Sequence, residues 1–196
     1  FPVLTEAMQH VAHLAIRNRG TIGGSLAHAD PAAELPTMAV LLDARIEAVS
    51  PRGTRSIEAR AFFQGTLTTA LSDDEIVTRI VLPHLPEAHG WAFAEVARRS
   101  GDFAVASCGV IVAREGVRIA LGGVGQTPLR AEAAESELAG HALAEEKIAA
   151  AAMAAAAACD PPTDLHGSSD YRRHLVRALV RRCLTAALDR LTGGRA

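Results

Sequence analysis

The sequence predicts an α+β protein in two parts, a small mixed subdomain followed by a three-stranded antiparallel sheet packed with a C-terminal helical layer. Helix and strand patterns are mixed in the first part, whereas three strand patterns precede three helix patterns in the second. Between them, residues 83–90 carry two prolines, two histidines and a glycine, and both periodic patterns stop there. We therefore expect two domains, at residues 1–86 and 87–196.

The first part should open with a helix over residues 5–16, because Thr5 can cap it and apolar residues recur on one face. A second helix is expected over residues 32–42, with Pro31 near its first turn and a stripe of apolar side chains. Strands are then predicted over residues 44–49, 54–57 and 75–82. Pro83 ends the last of them.

The second part contains three candidate strands, over residues 91–99, 104–113 and 117–124, with a hairpin at Glu115-Gly116. Helices are expected over residues 131–139, 144–159 and 169–191. The middle helix is rich in alanine, the best helix former. The last has a continuous apolar stripe, and six arginines occupy the remaining positions. A solvated basic face is the favoured interpretation of those arginines, and docking against an acidic partner is the alternative.

Composition excludes several functional classes. The 196 residues are 49% hydrophobic and 21% charged, with a net charge of −2, which is typical of a globular protein and does not favour nucleic acid as a partner. The longest run of low polarity, residues 148–159, is too short and too weakly apolar to form a transmembrane segment. A signal peptide is not visible, so we expect a cytoplasmic protein.

Cysteine and histidine spacing does not predict a metal site. Cys108, Cys159 and Cys183 are far apart, which indicates a reducing compartment and small core residues rather than a zinc or iron–sulfur site. His10 and His13 have the spacing of helix ligands, but the sequence offers no third ligand nearby, so packing or surface roles are favoured.

One segment, residues 16–36, is not explained by core packing. Gly20, Gly23 and Gly24 lie close together with Thr21 and Ser25. Glycines permit positive φ and let backbone N–H groups converge, so the segment could hold a phosphate. From these residues alone, a tight turn between two helices is the more common explanation. The sequence has neither a GxGxxG nor a GxxxxGK[ST] motif.

The same segment carries a resemblance to a known family. Thr21 to Ala27, with Pro31 and Glu34, match the motif T-[IV]-G-G-[NS]-x-A-x-x-x-P-x-x-[DE]. The segments RRSGDFA at residues 98–104 and DLHGSSDYRRHLVRALVRR at 164–182 match two further motifs in the same order. The chain thus resembles the flavin-binding medium subunit of the molybdenum hydroxylases, which include carbon monoxide dehydrogenase and xanthine dehydrogenase.

The resemblance implies a site for FAD and no catalytic residue or metal ligand on this chain. The glycine segment would bind the pyrophosphate, a carboxylate the ribityl hydroxyls, an apolar residue the adenine, and a charged loop the isoalloxazine ring. In that order, the implied residues are Thr21, Ile22, Gly23, Gly24 and Ser25, then Glu34, then Val77, and finally Arg98 and Asp102. Taken without the resemblance, the loop is a charged turn at a strand end.

The resemblance also implies partners. A small subunit would carry [2Fe-2S] clusters and a large subunit the molybdenum cofactor, and FAD on this chain would relay electrons to a final acceptor. Relatives often carry a lysine in the strand before the charged loop, where Glu95 and Ala97 stand here, and xanthine dehydrogenase-like relatives carry an acid at the position of Gly101. These departures leave the final acceptor open. The glycine-rich AGGTDL-like segment with which family members usually begin has no match. The alternative is therefore a structural module of such a complex, without a cofactor.

Overall fold

The structure, a computed structural model, describes residues 1–193. Its helices are α1 Pro2–Met8, α2 Leu14–Arg17, α3 Ile22–His28, α4 Glu34–Leu41, α5 Ala59–Phe62, α6 Glu132–Leu138, α7 Glu145–Ala158 and α8 Ser169–Leu191. Its strands are β1 Arg45–Ser50, β2 Gly53–Glu58, β3 Phe63–Gly65, β4 Thr68–Thr69, β5 Ile76–Val81, β6 His89–Ala97, β7 Ala104–Ala113, β8 Gly116–Gly122 and β9 Leu129–Arg130. The predicted α+β class is confirmed. The division at residues 86 and 87 stays a prediction.

The strands form three antiparallel sheets in the described residues, with the orders β2-β1-β5, β3-β4 and β6-β7-β8-β9. The prediction of a three-stranded second sheet was therefore short by one strand. Leu121 and Ala120 of β8 pair with Leu129 and Arg130 of β9. A strand of two residues has too few positions to display an alternating pattern, so β9 could not be recognised from sequence.

Strand β7 is covered on both faces, which explains its almost uninterrupted apolar sequence. Cys108 and Val110 belong to a core shared with α7 and α8, whereas Ile111 belongs to a second core shared with α4. A side chain at Gly109 would have its Cβ 2.6 Å from Met38 Cε and 2.8 Å from Leu41 Cδ2. The glycine therefore lets α4 lie directly on the sheet.

The predicted helix over residues 5–16 was wrong, because the chain turns between α1 and α2. Ala12 has φ +42°, which no α-helix accommodates. The Arg17 guanidinium stabilises this turn by donating to the carbonyl oxygens of Val11 at 2.6 Å and Ala12 at 2.8 Å. Thr5 lies inside α1, and Phe1 is the N-cap.

Helix α8 has the predicted bounds, but its arginines do not form one solvated face. Arg172 is 4% exposed and belongs to the interior. Arg190 is half-buried, 5.1 Å from the centre of the Trp91 ring, and it pairs with Glu6 at 2.8 Å. Arg181 and Arg182 are exposed, as expected for a solvated face. The helical spacing was readable from sequence, but the partners of each arginine were not.

All three cysteines are free and buried, as predicted. Burial raises the pKa of the Cys159 thiol to about 12. The Cys183 side chain and burial together raise the pKa of Cys108 well above its usual value. The thiols of Cys108 and Cys159 are therefore held in their protonated form.

The close approach of α8 to β6 makes Gly90 the most constrained position of the sheet. A Cβ there would overlap the Ala187 carbonyl group, which belongs to the backbone of α8 and cannot rotate away. We expect Gly90→Ala to lower the free energy of unfolding by about 3 kcal/mol, measured by urea denaturation. Gly65→Ala is the matched control, because its Cβ would have only ordinary contacts of 3.8 Å and longer. Equal effects of the two variants would contradict the prediction.

Candidate functional site

The glycine-rich segment forms the first turn of α3. Thr21 is the N-cap, and its Oγ1 accepts a hydrogen bond from the Gly24 N–H at 2.9 Å. Gly23 and Gly24 lie within α3, and neither has a positive φ. Positive φ, one of the sequence arguments for a phosphate site, therefore does not apply here. The segment follows α2 through residues 18–21 and begins a helix of its own.

This first turn offers backbone donors with little side-chain bulk around them. The first N–H groups of any helix lack intrahelical acceptors, and those of Ile22 and Gly23 have no partner among the described backbone hydrogen bonds. The positive end of the helix dipole lies at the same place. Val77 on β5 lies beside the turn, since a Cβ on Gly23 would be 3.6 Å from its Cγ1. Five implied residues, 21–25, and Val77 are thus brought together.

Glu34 begins α4 and is only 4% exposed. Burial raises its pKa to about 7, and the charge of Glu95 contributes to the rise. Near neutral pH the carboxyl group therefore exchanges between a form that only accepts hydrogen bonds and one that also donates. Sequence reasoning treated Glu34 as a simple carboxylate, because burial by distant elements is invisible in the motif.

Arg98 and Asp102 lie on the loop between β6 and β7 and line an open cavity of about 560 Å³. Asp30 and Pro31, from the segment before α4, line the same cavity. Phe103 on this loop is 58% exposed. The cavity lining does not include residues 21–25, Glu34 or Val77, so the structure groups the implied residues into two neighbouring sets rather than one.

The wall of this cavity contains Arg172, which sequence reasoning left among the solvated arginines. Its Nη1 donates to the carbonyl oxygens of Val105 at 2.5 Å and Gly123 at 2.9 Å. Its Nη2 donates to both carboxylate oxygens of Asp164, at 2.9 and 2.7 Å, and this lowers the pKa of Asp164. Arg172 thereby ties α8 to β7, to the end of β8 and to the loop that precedes α8.

The Arg172 contacts should be worth far more than those of an exposed arginine on the same helix. Replacing a buried guanidinium leaves two carbonyl groups and a carboxylate without their donor, so Arg172→Met should cost about 3 kcal/mol of unfolding free energy. Arg181→Met is the control, because Arg181 pairs with Glu145 at the surface, where ion pairs contribute about 0–1 kcal/mol. Urea denaturation of both variants measures the difference. Equal losses of unfolding free energy in the two variants would show that the Arg172 contacts stabilise the fold no more than the surface pair of Arg181 does.

Two family matches cover most of the chain. Residues 1–85 match the family described as the FAD binding domain in molybdopterin dehydrogenase, and residues 91–187 match the CO dehydrogenase flavoprotein C-terminal domain. The chain belongs to the flavin-binding subunits of the molybdenum hydroxylases. It is thus a subunit of an oxidoreductase, and the cofactor of its family is FAD.

Curated relatives within this family are medium subunits. The carbon monoxide dehydrogenase medium chain of Hydrogenophaga pseudoflava is 39% identical over 194 residues, which cover 96% of this chain and 68% of the relative. The nicotine 6-hydroxylase medium subunit of Paenarthrobacter nicotinovorans is 42% identical over 191 residues, covering 95% and 67%. The described residues therefore span about two thirds of the length of these flavin subunits.

Solved structures of the family have the same fold. Carbon monoxide dehydrogenase from Hydrogenophaga pseudoflava matches with a TM-score of 0.94 and 40% identity, over 97% of this chain and 68% of that chain. Quinoline 2-oxidoreductase from Pseudomonas putida 86 matches with a TM-score of 0.90 and 39% identity, over the same shares. Among residues 1–193, no helix combines the length and hydropathy that a bilayer crossing requires.

Proposed function

We propose that this chain binds FAD and relays electrons from iron–sulfur clusters of a partner subunit to a final acceptor. The observation that carries the proposal is the capped first turn of α3. Its unpaired N–H groups, its glycines and the adjacent Val77 fall within the part of the chain that matches the FAD-binding family. A dinucleotide needs such donors for its pyrophosphate and an apolar contact for its base.

The residues of this turn fit the pyrophosphate of FAD. Thr21 fixes the helix start, Gly23 and Gly24 allow close approach, and Ser25 adds a hydroxyl donor within the turn. Ile22, whose side chain is 45% exposed, would cover the ligand from one side. Glu34 would accept hydrogen bonds from the ribityl hydroxyls, and Val77 would contact the adenine. FAD supplies the redox chemistry, while the chain supplies binding and orientation.

Arg98 and Asp102 would act on the isoalloxazine ring from the loop between β6 and β7. Fixed charges near a flavin stabilise one redox state over another. The glycine between them, Gly101, has φ +85°, and its Cα lies against the His13 ring, where a Cβ would be 2.6 Å from Cε1. This contact supports the proposal because it holds the loop, and with it both charges, in one conformation.

The relay requires partners that bring electrons to the flavin. The residues described by the structure contain no group of histidine, cysteine, aspartate and glutamate side chains able to hold a metal ion. We propose a cytoplasmic complex with a small iron–sulfur subunit and a large subunit that holds the molybdenum cofactor. The loop at 98–102 and the exposed arginines of α8 are the candidate contact surfaces.

A valine at Gly24 should weaken FAD binding. Its Cβ would be 2.9 Å from Thr21 Oγ1, and its branched methyl groups would cover the donors of the first turn. We expect Gly24→Val to raise the dissociation constant for FAD at least tenfold, measured by flavin fluorescence titration. Gly65→Val is the control, since a Cβ there has only ordinary contacts, with Thr68 and Gln126 and none with residues 21–25. Equal affinity in Gly24→Val and the parent would remove the turn from the site.

The relay also predicts a stable complex. With an affinity tag on this chain in its native host, we expect copurification of two further subunits, together with iron, molybdenum and yellow flavin absorbance. An interface that holds clusters close to a flavin should bury more than about 1,000 Å² and survive gel filtration. A colourless complex that rejects FAD would favour the structural module instead. A monomer without iron or molybdenum that still reduces an acceptor with an organic substrate would contradict the relay.

A further inference from the structure

A buried cluster of acids lies where α4 meets the sheet. Glu34 of α4 is 4% exposed, and the side chain of Glu95 on β6 is 5% exposed. Two buried acids in one region are unusual, because burying an ionised carboxylate without a cation is costly. Neither acid is paired with a lysine or arginine among the ion pairs of residues 1–193.

The positions of two hydroxyl groups show that the acids face the same interior region. A Cβ on Gly122 would collide with both Thr37 Oγ1 and Ser107 Oγ, so both of these oxygens lie close to the Gly122 Cα. Thr37 follows Glu34 by one turn on α4, and residues at this spacing share a helix face. Ser107 is the direct cross-strand partner of Glu95, and such partners point to the same side of a sheet. Glu34 and Glu95 therefore flank one small polar region.

Two buried polar atoms without hydrogen-bond partners indicate which protonation state of Glu95 is favoured here. Glu95 Oε2 and Ser107 Oγ are both buried and have no hydrogen-bond partner. An ionised carboxylate with an unpartnered oxygen is much more costly than a neutral carboxyl group. The other oxygen, Oε1, lies 3.3 Å from Nδ1 of His10, whose side chain is 38% exposed. His10 therefore connects the interior acid with solvent.

The remaining charged groups around the pair are few. Asp30, before α4, adds a negative charge that raises the pKa of Glu34, and a protonated His10 lowers it. Arg17 lies close to the turn that carries His10, but its guanidinium donates to the Val11 and Ala12 carbonyl oxygens. The facing positions on β7 and β8 are Ser107 and Gly122, which do not titrate. Beyond the two acids of the pair, one further acid, Asp30, and one potential cation, His10, therefore act on Glu34.

We propose that Glu34 and Glu95 share one proton, and that Glu95 is a positioning residue for flavin binding. Glu95 holds the proton in the interior, which leaves Glu34 ionised to accept hydrogen bonds from the ribityl hydroxyls. At pH values above the second ionisation of the pair, both carboxyl groups are negatively charged. Bound FAD excludes water from them, so their repulsion lowers the affinity for FAD. Binding at such pH values then takes up one proton through His10. The role towards FAD rests on the proposed function, whereas the shared proton does not.

The shared proton can be tested without FAD. We would follow the carboxyl carbons of ¹³C-labelled glutamate by NMR as a function of pH in the parent, Glu34→Gln, Glu95→Gln and Glu137→Gln. Burial raises the pKa of both acids to about 7, so both should titrate near neutral pH in the parent. A shared proton requires that they do so in two coupled steps. Removing the charge of Glu95 should lower the pKa of Glu34. Glu137, which is exposed, serves as the control and should leave both steps in place.

The second measurement is the dissociation constant for FAD between about pH 5.5 and 8.5, the range in which such a pair titrates. In the parent the constant should rise above pH 7 by up to about tenfold per pH unit, as one linked proton requires. Glu95→Gln, which mimics the neutral acid, should abolish that rise. A merely structural role of Glu95 would shift affinity at all pH values and leave the slope unchanged.

The outcomes of the two measurements test the shared proton separately from the role of Glu95 in FAD binding. Ordinary titration of both acids, or a Glu34 pKa indifferent to Glu95→Gln, would overturn the shared proton. A chain that binds FAD with an affinity independent of pH would overturn the positioning role of Glu95. A chain that binds no FAD at any pH would overturn the proposed function, while two coupled steps in the NMR titration would still support the shared proton.

Discussion

The direct contact of α4 with β7 and β8 is the constraint on which the rest of the structure depends. Gly109 and Gly122 leave room for Met38, Leu41 and Thr37 at the sheet surface. Because the helix lies so close, its first turn carries Glu34 into the interior. The segment before it, with Asp30 and Pro31, reaches the cavity beside the loop at 98–102. The helix therefore links the two neighbouring sets of implied flavin residues.

The same contact gives the two parts of the chain a common core. Phe93, Ile111 and Ala120 of the second sheet belong to one cluster with side chains of α1, α4 and β1. Arg190 of α8 adds a polar connection, through Glu6 of α1. Even if the chain divides near residue 87, neither part could bury this cluster alone. Domain limits inferred from a break in periodicity describe the course of the chain and do not define units that fold separately.

Sequence reasoning succeeded where a pattern was long and local. Helix α8 and strand β7 were predicted with the bounds they have, because many residues repeat one period there. It failed at Ala12, where side-chain hydrogen bonds from Arg17 to the Val11 and Ala12 carbonyl oxygens stabilise positive φ inside an otherwise helical pattern. The motif identified Thr21 to Ser25 as a group, but not their helical geometry. The proximity of Glu34 and Glu95 depends on sheet register and helix docking, which no local pattern encodes.

The three buried cysteines of this chain favour site-specific chemical labelling at its surface. Thiolate is the reactive form, and Cys108 is kept protonated by the Cys183 side chain and by burial, and Cys159 by burial. Cys183 is also buried, so all three thiols are shielded from reagents in solution. A cysteine introduced on the exposed surface of the 98–102 loop would therefore react in preference to them. A spin label or fluorophore attached there would report movements of that loop without first removing the natural thiols.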